Sequence, residues 1–148
     1  MALLANNLGE TLMLKRILGE QSQGDTDGDT VFLRLYRGDT TPVEGDSAAK
    51  FTQSTGTGYA AIAIPGDTTG GSGWTYATGA GDTVSATFAQ QTFTYSGGDG
   101  DTLYGYYVTT TDKIGDTIVL WAELFTDGPY TIPGGGGTVK VTPYVSLD

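Results

Sequence analysis

The 148-residue sequence contains neither cysteine nor histidine. Without cysteine the chain can form no disulfide, no thiolate nucleophile and no thiolate metal site. Without histidine it lacks the usual general base, the commonest zinc ligand and the side chain that changes charge near neutral pH. These absences exclude most hydrolase and metalloenzyme templates, so an enzyme would have to work with carboxylates alone, and we expect no cofactor.

Positive charge is also scarce, with seven Lys and Arg residues against 17 Asp and Glu residues, for a net charge of -10. The few cations are scattered and form no basic stripe for phosphate contacts, so nucleic acid is not an expected partner. No apolar run approaches the roughly 20 residues that span a bilayer. The N-terminus also lacks the basic region and cleavage site of a signal peptide. The sequence therefore predicts a soluble protein that is made in a cytoplasm and has no membrane partner.

The most abundant motif is the tripeptide Gly-Asp-Thr, which occurs seven times. The copies begin at Gly24, Gly28, Gly38, Gly66, Gly81, Gly100 and Gly115. Glycine tolerates positive φ, aspartate favours turns, and threonine suits the start of a strand, so each copy is typical of a turn that leads into a strand. The repeats therefore predict an all-β fold, and they place much of the negative charge in loops.

Short runs of alternating apolar residues follow these turns and predict strands. The predicted strands are Val31–Tyr36, Gly58–Ile64, Val84–Phe88, Thr92–Tyr95, Leu103–Thr109, Thr117–Phe125 and Val139–Leu147. In the first strand, Val31, Leu33 and Leu35 are expected to face the core. Strands of this length and spacing favour a β-sandwich of the jelly-roll type over residues 30–148.

Two features suggest how the strands are arranged. The apolar residues of Val84–Phe88 lie at even positions and those of Thr92–Tyr95 at odd positions, so a break is expected between Ala89 and Gln91. Pro143 cannot donate a hydrogen bond within a sheet, so the last strand is predicted to lie at a sheet edge.

The segment Ile118–Phe125 is apolar on both faces except for Glu123. Such a run predicts a central strand that is covered on both sides, either within the domain or by a subunit partner. Asp127 and Gly128 then predict a hairpin turn into Tyr130–Ile132.

Residues 1–20 form a predicted N-terminal arm, and residues 21–29 form a polar linker. A helix is predicted over Leu8–Leu18, with Asn7 as its N-cap and Glu10 as the capping-box partner. The apolar residues of the arm are candidates for protein interaction, and they are Leu3, Leu4, Leu8, Leu12, Met13, Ile17 and Leu18. Two interpretations stay open, because this face can pack on the sheet of its own domain or dock on a neighbouring subunit.

Two acidic segments resemble metal sites without matching one. Gly97–Gly105 resembles the calcium-binding nonapeptide of β-rolls, but it is one residue short and single, so a structural turn is the preferred interpretation. Asp25, Asp27 and Asp29 lie in an acidic linker that could hold calcium only weakly.

Glu123 is the single carboxylate in an apolar setting and hence the candidate acid of a glycosidase. No second carboxylate is implied by the spacing. We therefore favour a structural Glu123 that faces solvent near a strand end or pairs with a base such as Arg34.

Trp74 lies in a loop rich in Gly, Ser and Thr, between Gly66 and Gly81. No surrounding strand is predicted to bury it. An exposed tryptophan in a loop is a candidate hot spot for binding, either to a protein or to a sugar.

Four segments together resemble a group of small virion proteins of tailed bacteriophages. They are Asn7–Glu10, Leu103–Val108, Leu120–Ile132 and Val139–Leu147. The resemblance implies a non-enzymatic capsid cement or decoration protein, often a trimeric β-sandwich, which binds the major capsid protein at capsomer junctions on the virion surface. It supplies no catalytic residues. The alternative is a tail or capsid-surface module that recognises host glycans through loop aromatics such as Trp74.

Overall fold

The structure is a computed structural model that describes residues 31–43, 45–64, 73–79, 83–97, 100–111 and 117–147. These residues form antiparallel β-strands and one short 3-10 turn, Ala48–Lys50, which confirms the all-β prediction. The predicted arm and linker lie outside the described residues, as do the candidate interaction residues Leu3, Leu4, Leu8, Leu12, Met13, Ile17 and Leu18.

The described strands are β1 Val31–Arg37, β2 Thr52–Gln53, β3 Ile62–Ile64, β4 Trp74–Thr78, β5 Val84–Phe88, β6 Gln91–Tyr95, β7 Thr102–Thr111, β8 Thr117–Leu124, β9 Tyr130–Thr131, β10 Gly137–Val141 and β11 Tyr144–Leu147. The predicted strand Gly58–Ile64 is shorter than expected, since Gly58 has a φ of 87° and belongs to a turn. The predicted break between Ala89 and Gln91 is confirmed, because β5 and β6 belong to different sheets.

The chain divides into two compact units. The larger unit consists of residues 31–64 and 91–141. In the smaller unit, the described residues are 73–79, 83–90 and 142–147.

The larger unit contains a six-stranded sheet in the order β2-β1-β7-β8, in which β3 also pairs with β1 and β9 with β7. A two-stranded sheet of β6 and β10 belongs to the same unit. In β1, Val31, Leu33 and Leu35 are fully buried, as their alternation predicts. Tyr36, which the alternation places on the other face, is equally buried.

In the smaller unit, β5 is the middle strand of a three-stranded sheet in the order β11-β5-β4. Val84 and Ala86 of β5 are fully buried. The predicted strand Val139–Leu147 is divided between the two units, because β10 ends at Val141 and β11 begins at Tyr144. Pro143 lies in this break, and among the described strands β11 lies at the edge of its sheet, as predicted. The carbonyl of Pro143 accepts a hydrogen bond of 2.9 Å from the backbone N–H of Phe88.

Two copies of the Gly-Asp-Thr tripeptide begin within the described residues, and both start with glycine at positive φ. Gly38 has a φ of 97° and Gly100 a φ of 72°. A residue with a Cβ rarely adopts this conformation, so glycine is required for both turns. For these two copies, the interpretation as turns before or after strands is confirmed.

The predicted hairpin at Asp127 and Gly128 is wrong. β8 and β9 do not pair with each other but lie one after the other along the same strand, β7. Leu103 pairs with Tyr130, whereas Gly105 pairs with Leu124. The residues between β8 and β9 therefore form a loop that leaves β7 and returns to the same side of it.

Candidate protein-interaction surface

The open side of β8 is the main candidate surface. β8 lies at one end of the strand order, and among the described residues it pairs with β7 alone. Its side chains are exposed or half-buried, and Ile118 is 43% exposed. The prediction of a central strand is therefore wrong for the described part of the chain. The alternative, cover by a subunit partner, stays a prediction.

A β-bulge disrupts the regular alternation of β8. Trp121 pairs with Val108 and Val119 pairs with Thr109, so Leu120 is an extra residue with no opposite partner on β7. A bulge bends a strand and re-aims the side chains beside it. As a result, the consecutive residues from Val119 to Ala122 all line one groove.

This groove, which we call the β8 groove, has a volume of about 360 Å³. Its opposite wall is the segment that follows β1, and the lining residues of that wall are Pro42, Val43, Gly45, Asp46 and Phe51. Val43 is 61% exposed at the rim. The surface thus combines a strand that pairs with β7 alone among the described strands with an adjacent recess that offers both polar and apolar groups.

Hydrogen bonds within a short turn hold this wall in place. The Asp46 carboxylate accepts a hydrogen bond of 2.9 Å from the backbone N–H of Val43. The backbone N–H of Asp46 donates to the carbonyl of Val43 at 3.2 Å. Asp46, the acidic side chain among the described lining residues, is thus engaged within its own turn and helps to shape the groove.

An aromatic cluster lies beneath β8. The ring centroids of Tyr36 and Phe51 are 5.2 Å apart, and Phe51 stacks on Tyr107 at 5.1 Å. Burial, with the nearby Asp39 carboxylate, raises the pKa of Tyr36 to about 12. The half-buried side chains that pack against this cluster are Tyr104 of β7 and Val119, Ala122 and Leu124 of β8. The cluster gives the inner face of β8 a firm support.

Glu123 lies on the opposite face of β8 and is exposed to solvent, as favoured from the sequence. Its Oε2 accepts a hydrogen bond of 2.5 Å from the Tyr106 hydroxyl. It does not pair with Arg34, whose guanidinium donates to Thr109 and Gln53. The arrangement contains a tyrosine and a single carboxylate, and it offers no opposed carboxylate pair for glycoside hydrolysis.

Trp74 is not an exposed loop residue, and that expectation is wrong. It begins β4 and is 7% exposed. Its ring packs against Phe88, opposite it on β5, with centroids 5.1 Å apart. The strand Trp74–Thr78 is rich in aromatic and β-branched residues, a signal of strand structure that the surrounding glycines obscured. The role of Trp74 in an interaction stays a prediction, but its expected exposure no longer supports it.

A second groove of about 430 Å³ lies in the larger unit, between the strands that flank the turn at Pro133. It is lined by Tyr130, Thr131, Ile132, Pro133, Gly137, Thr138, Val139 and Lys140. The Tyr130 hydroxyl donates a hydrogen bond to the Asp127 carboxylate, so the polar end of the Tyr130 side chain is already bonded within the chain. The lining residues include no convergent set of polar groups that would define a ligand.

Asp101 is an important residue that the sequence did not single out. Its carboxylate accepts hydrogen bonds from the Ser54 hydroxyl at 2.5 Å and from the backbone N–H groups of Thr55 and Gly56 at 3.1 and 3.2 Å. Arg37 lies 3.6 Å away. Burial raises the pKa of this carboxyl, but these hydrogen bonds and Arg37 outweigh burial and hold the pKa below its usual range. Asp101 therefore fastens the loop after β2 to the end of β1.

Neither a metal site nor a membrane span is found in the described ranges. No group of three or more Asp and Glu side chains there is placed to hold a metal ion. No helix among the described residues is long and apolar enough to cross a membrane. Comparisons with protein-family models, with curated proteins and with solved structures yield no match. The resemblance to phage virion proteins therefore stays a prediction.

Proposed function

We propose that the chain is a non-enzymatic structural subunit of a bacteriophage virion, a capsid cement protein on the capsid surface. In this proposal, a jelly-roll-like β domain with an N-terminal helical arm assembles as a homotrimer and binds the major capsid protein at capsomer junctions. The observation that carries the proposal is the β8 surface, an apolar strand that pairs with β7 alone among the described strands and lies beside a groove. Natural proteins cover or protect such edges, and an exposed edge of this kind favours a role in assembly.

The magnitudes are compatible with an assembly role. Ile118 and Val43 are each about half exposed, so burial of the remainder by a partner would contribute on the order of 1 kcal/mol per side chain. That is too little for one strong contact. A trimer bound at several points on a shell gains avidity without a stronger individual contact, so a modest patch per subunit is sufficient.

The glycan-binding alternative depended on an exposed Trp74. Since this side chain is buried against Phe88, no specific observation favours that function. The glycosidase alternative likewise depended on Glu123, which is bonded to Tyr106 and has no opposed carboxylate in the site described.

The test is to measure the mass of the purified protein by light scattering, alone and after it is mixed with empty phage shells. We expect a stable trimer that sediments with the shells. The variant Ile118→Asp should lose assembly, because it places a charge on the β8 edge. Tyr144→Asp is the matched control, since Tyr144 is 46% exposed but lies in β11 of the smaller unit. A monomer that does not bind shells would contradict the proposal.

A further inference from the structure

We infer that the loop between β2 and β3, residues 54–61, is a strap that opens while the sheets beside it stay folded. The Asp101 carboxylate is the latch that holds this strap closed. All eight residues of the strap belong to the described part of the chain. The movement takes place within one copy of the chain, so it neither requires the proposed assembly on a capsid nor follows from it.

The strap occupies one edge of β1, in the gap between two paired strands. β2 pairs with β1 at one end and β3 pairs with it at the other, and Leu35 lies between the two paired stretches. The carbonyl of Leu35 accepts a hydrogen bond of 2.9 Å from the backbone N–H of Ser54. The N–H of Leu35 donates to the Tyr59 hydroxyl at 3.0 Å. A side-chain hydroxyl thus takes the place of the carbonyl that a neighbouring strand would supply.

The strap also contacts β6, which belongs to the two-stranded sheet of the larger unit. The carbonyl of Thr57 accepts a hydrogen bond of 2.9 Å from the backbone N–H of Ser96, the residue after β6. The Tyr59 ring stacks on Phe93 and Tyr95, with ring centroids 5.7 and 5.9 Å apart. The strap therefore bridges the two sheets of this unit through contacts that are distinct from the ladders within each sheet.

Two glycines let the backbone of the strap lie close to β6. A Cβ at Gly56 would lie 2.8 Å from the Tyr95 ring, and a Cβ at Gly58 would lie 2.9 Å from the backbone nitrogen of Ser96. Gly58 also has a φ of 87°, a conformation that favours glycine. Because glycine has no side chain, this close contact buries little apolar surface.

Most of the strap is exposed, in contrast with the strands beside it. Its exposed residues are Thr55, Thr57, Gly58 and Ala60, and its half-buried residues are Gly56, Tyr59 and Ala61. A segment with few buried apolar contacts opens at a lower free energy than core strands do. We therefore expect the strap to open before the ladder of β1 and β7, in which Leu33, Leu35 and Val108 are fully buried.

One oxygen of Asp101 holds the first part of the strap. Its Oδ2 accepts hydrogen bonds from the Ser54 hydroxyl at 2.5 Å and from the N–H groups of Thr55 and Gly56 at 3.1 and 3.2 Å. The other oxygen lies 3.6 Å from Nη1 of Arg37. Hydrogen bonds to a charged acceptor are stronger than those between neutral groups. Loss of the charge on Asp101 therefore weakens all three contacts at once.

Arg37 and Tyr95 are the other charged or titratable groups that face Asp101 among the described residues. Arg37 of β1 keeps its positive charge at every pH that proteins tolerate. The Tyr95 hydroxyl of β6 lies 2.9 Å from the Ser54 hydroxyl. Burial, together with the Asp101 charge, raises the pKa of Tyr95 above its ordinary value of 10.0 in spite of that bond. Asp101 is therefore the group of these three whose charge changes in acid.

Hydrogen exchange followed by NMR tests the strap in the natural chain. The reporters are the amides of Leu35 and Ser96, since both donate to acceptors in the strap. We expect their protection factors to be at least about tenfold lower than those of the amides that pair β1 with β7. They should also depend less on urea, because opening of the strap exposes little surface. Equal protection and equal urea dependence would overturn the inference, since the strap would then open only with the sheet.

Asp101→Asn tests the latch, because it removes the charge and keeps a side chain of the same size. We expect the protection factors of the two reporter amides to fall by at least about tenfold, since the three bonds lose their charged acceptor. The matched control is Asp39→Asn at an exposed position of another Gly-Asp-Thr copy, and it should change them less than about twofold. Unchanged protection in Asp101→Asn would overturn the assignment of Asp101 as the latch.

Acid provides a second test, which does not depend on how well a variant folds. Burial raises the pKa of Asp101, but its hydrogen bonds and Arg37 lower it by more, so it lies below the ordinary value of 3.8. The stabilisation of the closed strap is therefore fully present above about pH 4 and is lost as the pH falls toward the folded pKa. The reporter protection factors, corrected for intrinsic exchange, should fall from pH 5 to pH 2 in the natural chain and stay level in Asp101→Asn. A parallel fall in both proteins would overturn the assignment, because another group would then control the strap.

Discussion

β1 and β8 flank the same strand, β7, and both have strongly apolar sequences, yet their surroundings differ. β1 has β7 on one side and β2 and β3 on the other, and Val31, Leu33 and Leu35 are fully buried. β8 has β7 alone among the described strands, and its side chains are at most half-buried. The difference shows that an apolar run indicates that a strand can be covered by other apolar residues. It does not indicate whether those residues belong to the same chain.

The two sides also differ in how they are fastened. On the β1 side, the Asp101 carboxylate ties Arg37 at the end of β1 to the backbone of the loop after β2. On the β8 side, the Tyr106 hydroxyl donates a hydrogen bond to the Glu123 carboxylate, which is exposed to solvent. We therefore expect substitutions on the β1 side to affect folding and those on the β8 edge to affect assembly.

The largest effect is expected for Leu35→Ala. Leu35 is fully buried in β1, so truncation removes transfer free energy and leaves a cavity, at a cost of about 2–5 kcal/mol. Leu120→Ala in the half-buried bulge of β8 should cost less than about 1 kcal/mol. Urea unfolding of the two variants measures the difference. Similar costs would show that the two strands are equally integral to the core.

A smaller effect, about 1–3 kcal/mol, is expected for Asp101→Asn, which disrupts the fastening of β1. The change leaves the Ser54 hydroxyl and the Arg37 guanidinium without their charged partner. Urea unfolding at neutral pH measures the loss. Asp39→Asn, in another copy of the same tripeptide, is the control at an exposed position and should cost less than about 0.5 kcal/mol.

Asp101 also predicts a dependence of stability on pH. Its pKa in the folded chain is below the ordinary value of 3.8, so the unfolded chain binds the proton more readily. The stabilisation is therefore fully present above about pH 4 and is lost as the pH falls below that value toward the folded pKa. Unfolding measured from pH 5 to pH 2 should show a steeper loss in the natural chain than in Asp101→Asn. Parallel curves would contradict this assignment.

Gly105→Ala tests the contact between β7 and β8 itself. A Cβ at this position would collide with the carbonyl oxygen of Glu123 and lie 2.6 Å from the Tyr36 hydroxyl. The backbones must then move apart, at a cost of roughly 1–3 kcal/mol for overpacking. Gly135→Ala is the control, because a Cβ there would meet nothing within 4 Å and its φ is not positive. A neutral Gly105→Ala would mean that β8 is held more loosely than its register suggests.

The features that could be predicted from the sequence are those that depend on residues close together along the chain. The alternation of apolar and polar residues predicted the bounds of β1 and β5 almost to the residue. The change in the phase of the apolar positions predicted the break before Gln91. Asp101 was not found because its hydrogen-bond partners are 45 to 47 residues away, and no spacing along the chain encodes that contact. Trp74 was misplaced because the neighbouring glycines outweighed a short strand pattern. The open edge of β8 depends on sheet order, which an apolar run does not determine.

The smallest effect on folding is expected for Ile118→Asp, the variant that should disrupt assembly. Because Ile118 is already 43% exposed at the edge of the sheet, its replacement should change the free energy of unfolding by less than about 0.5 kcal/mol. The measurement is urea unfolding at protein concentrations low enough to keep both proteins monomeric, since binding would otherwise add to the apparent stability. A loss of more than about 1 kcal/mol in the monomer would mean that the chain itself covers Ile118. The contrast between a β1 covered by its own chain and a β8 left for a partner would then no longer hold.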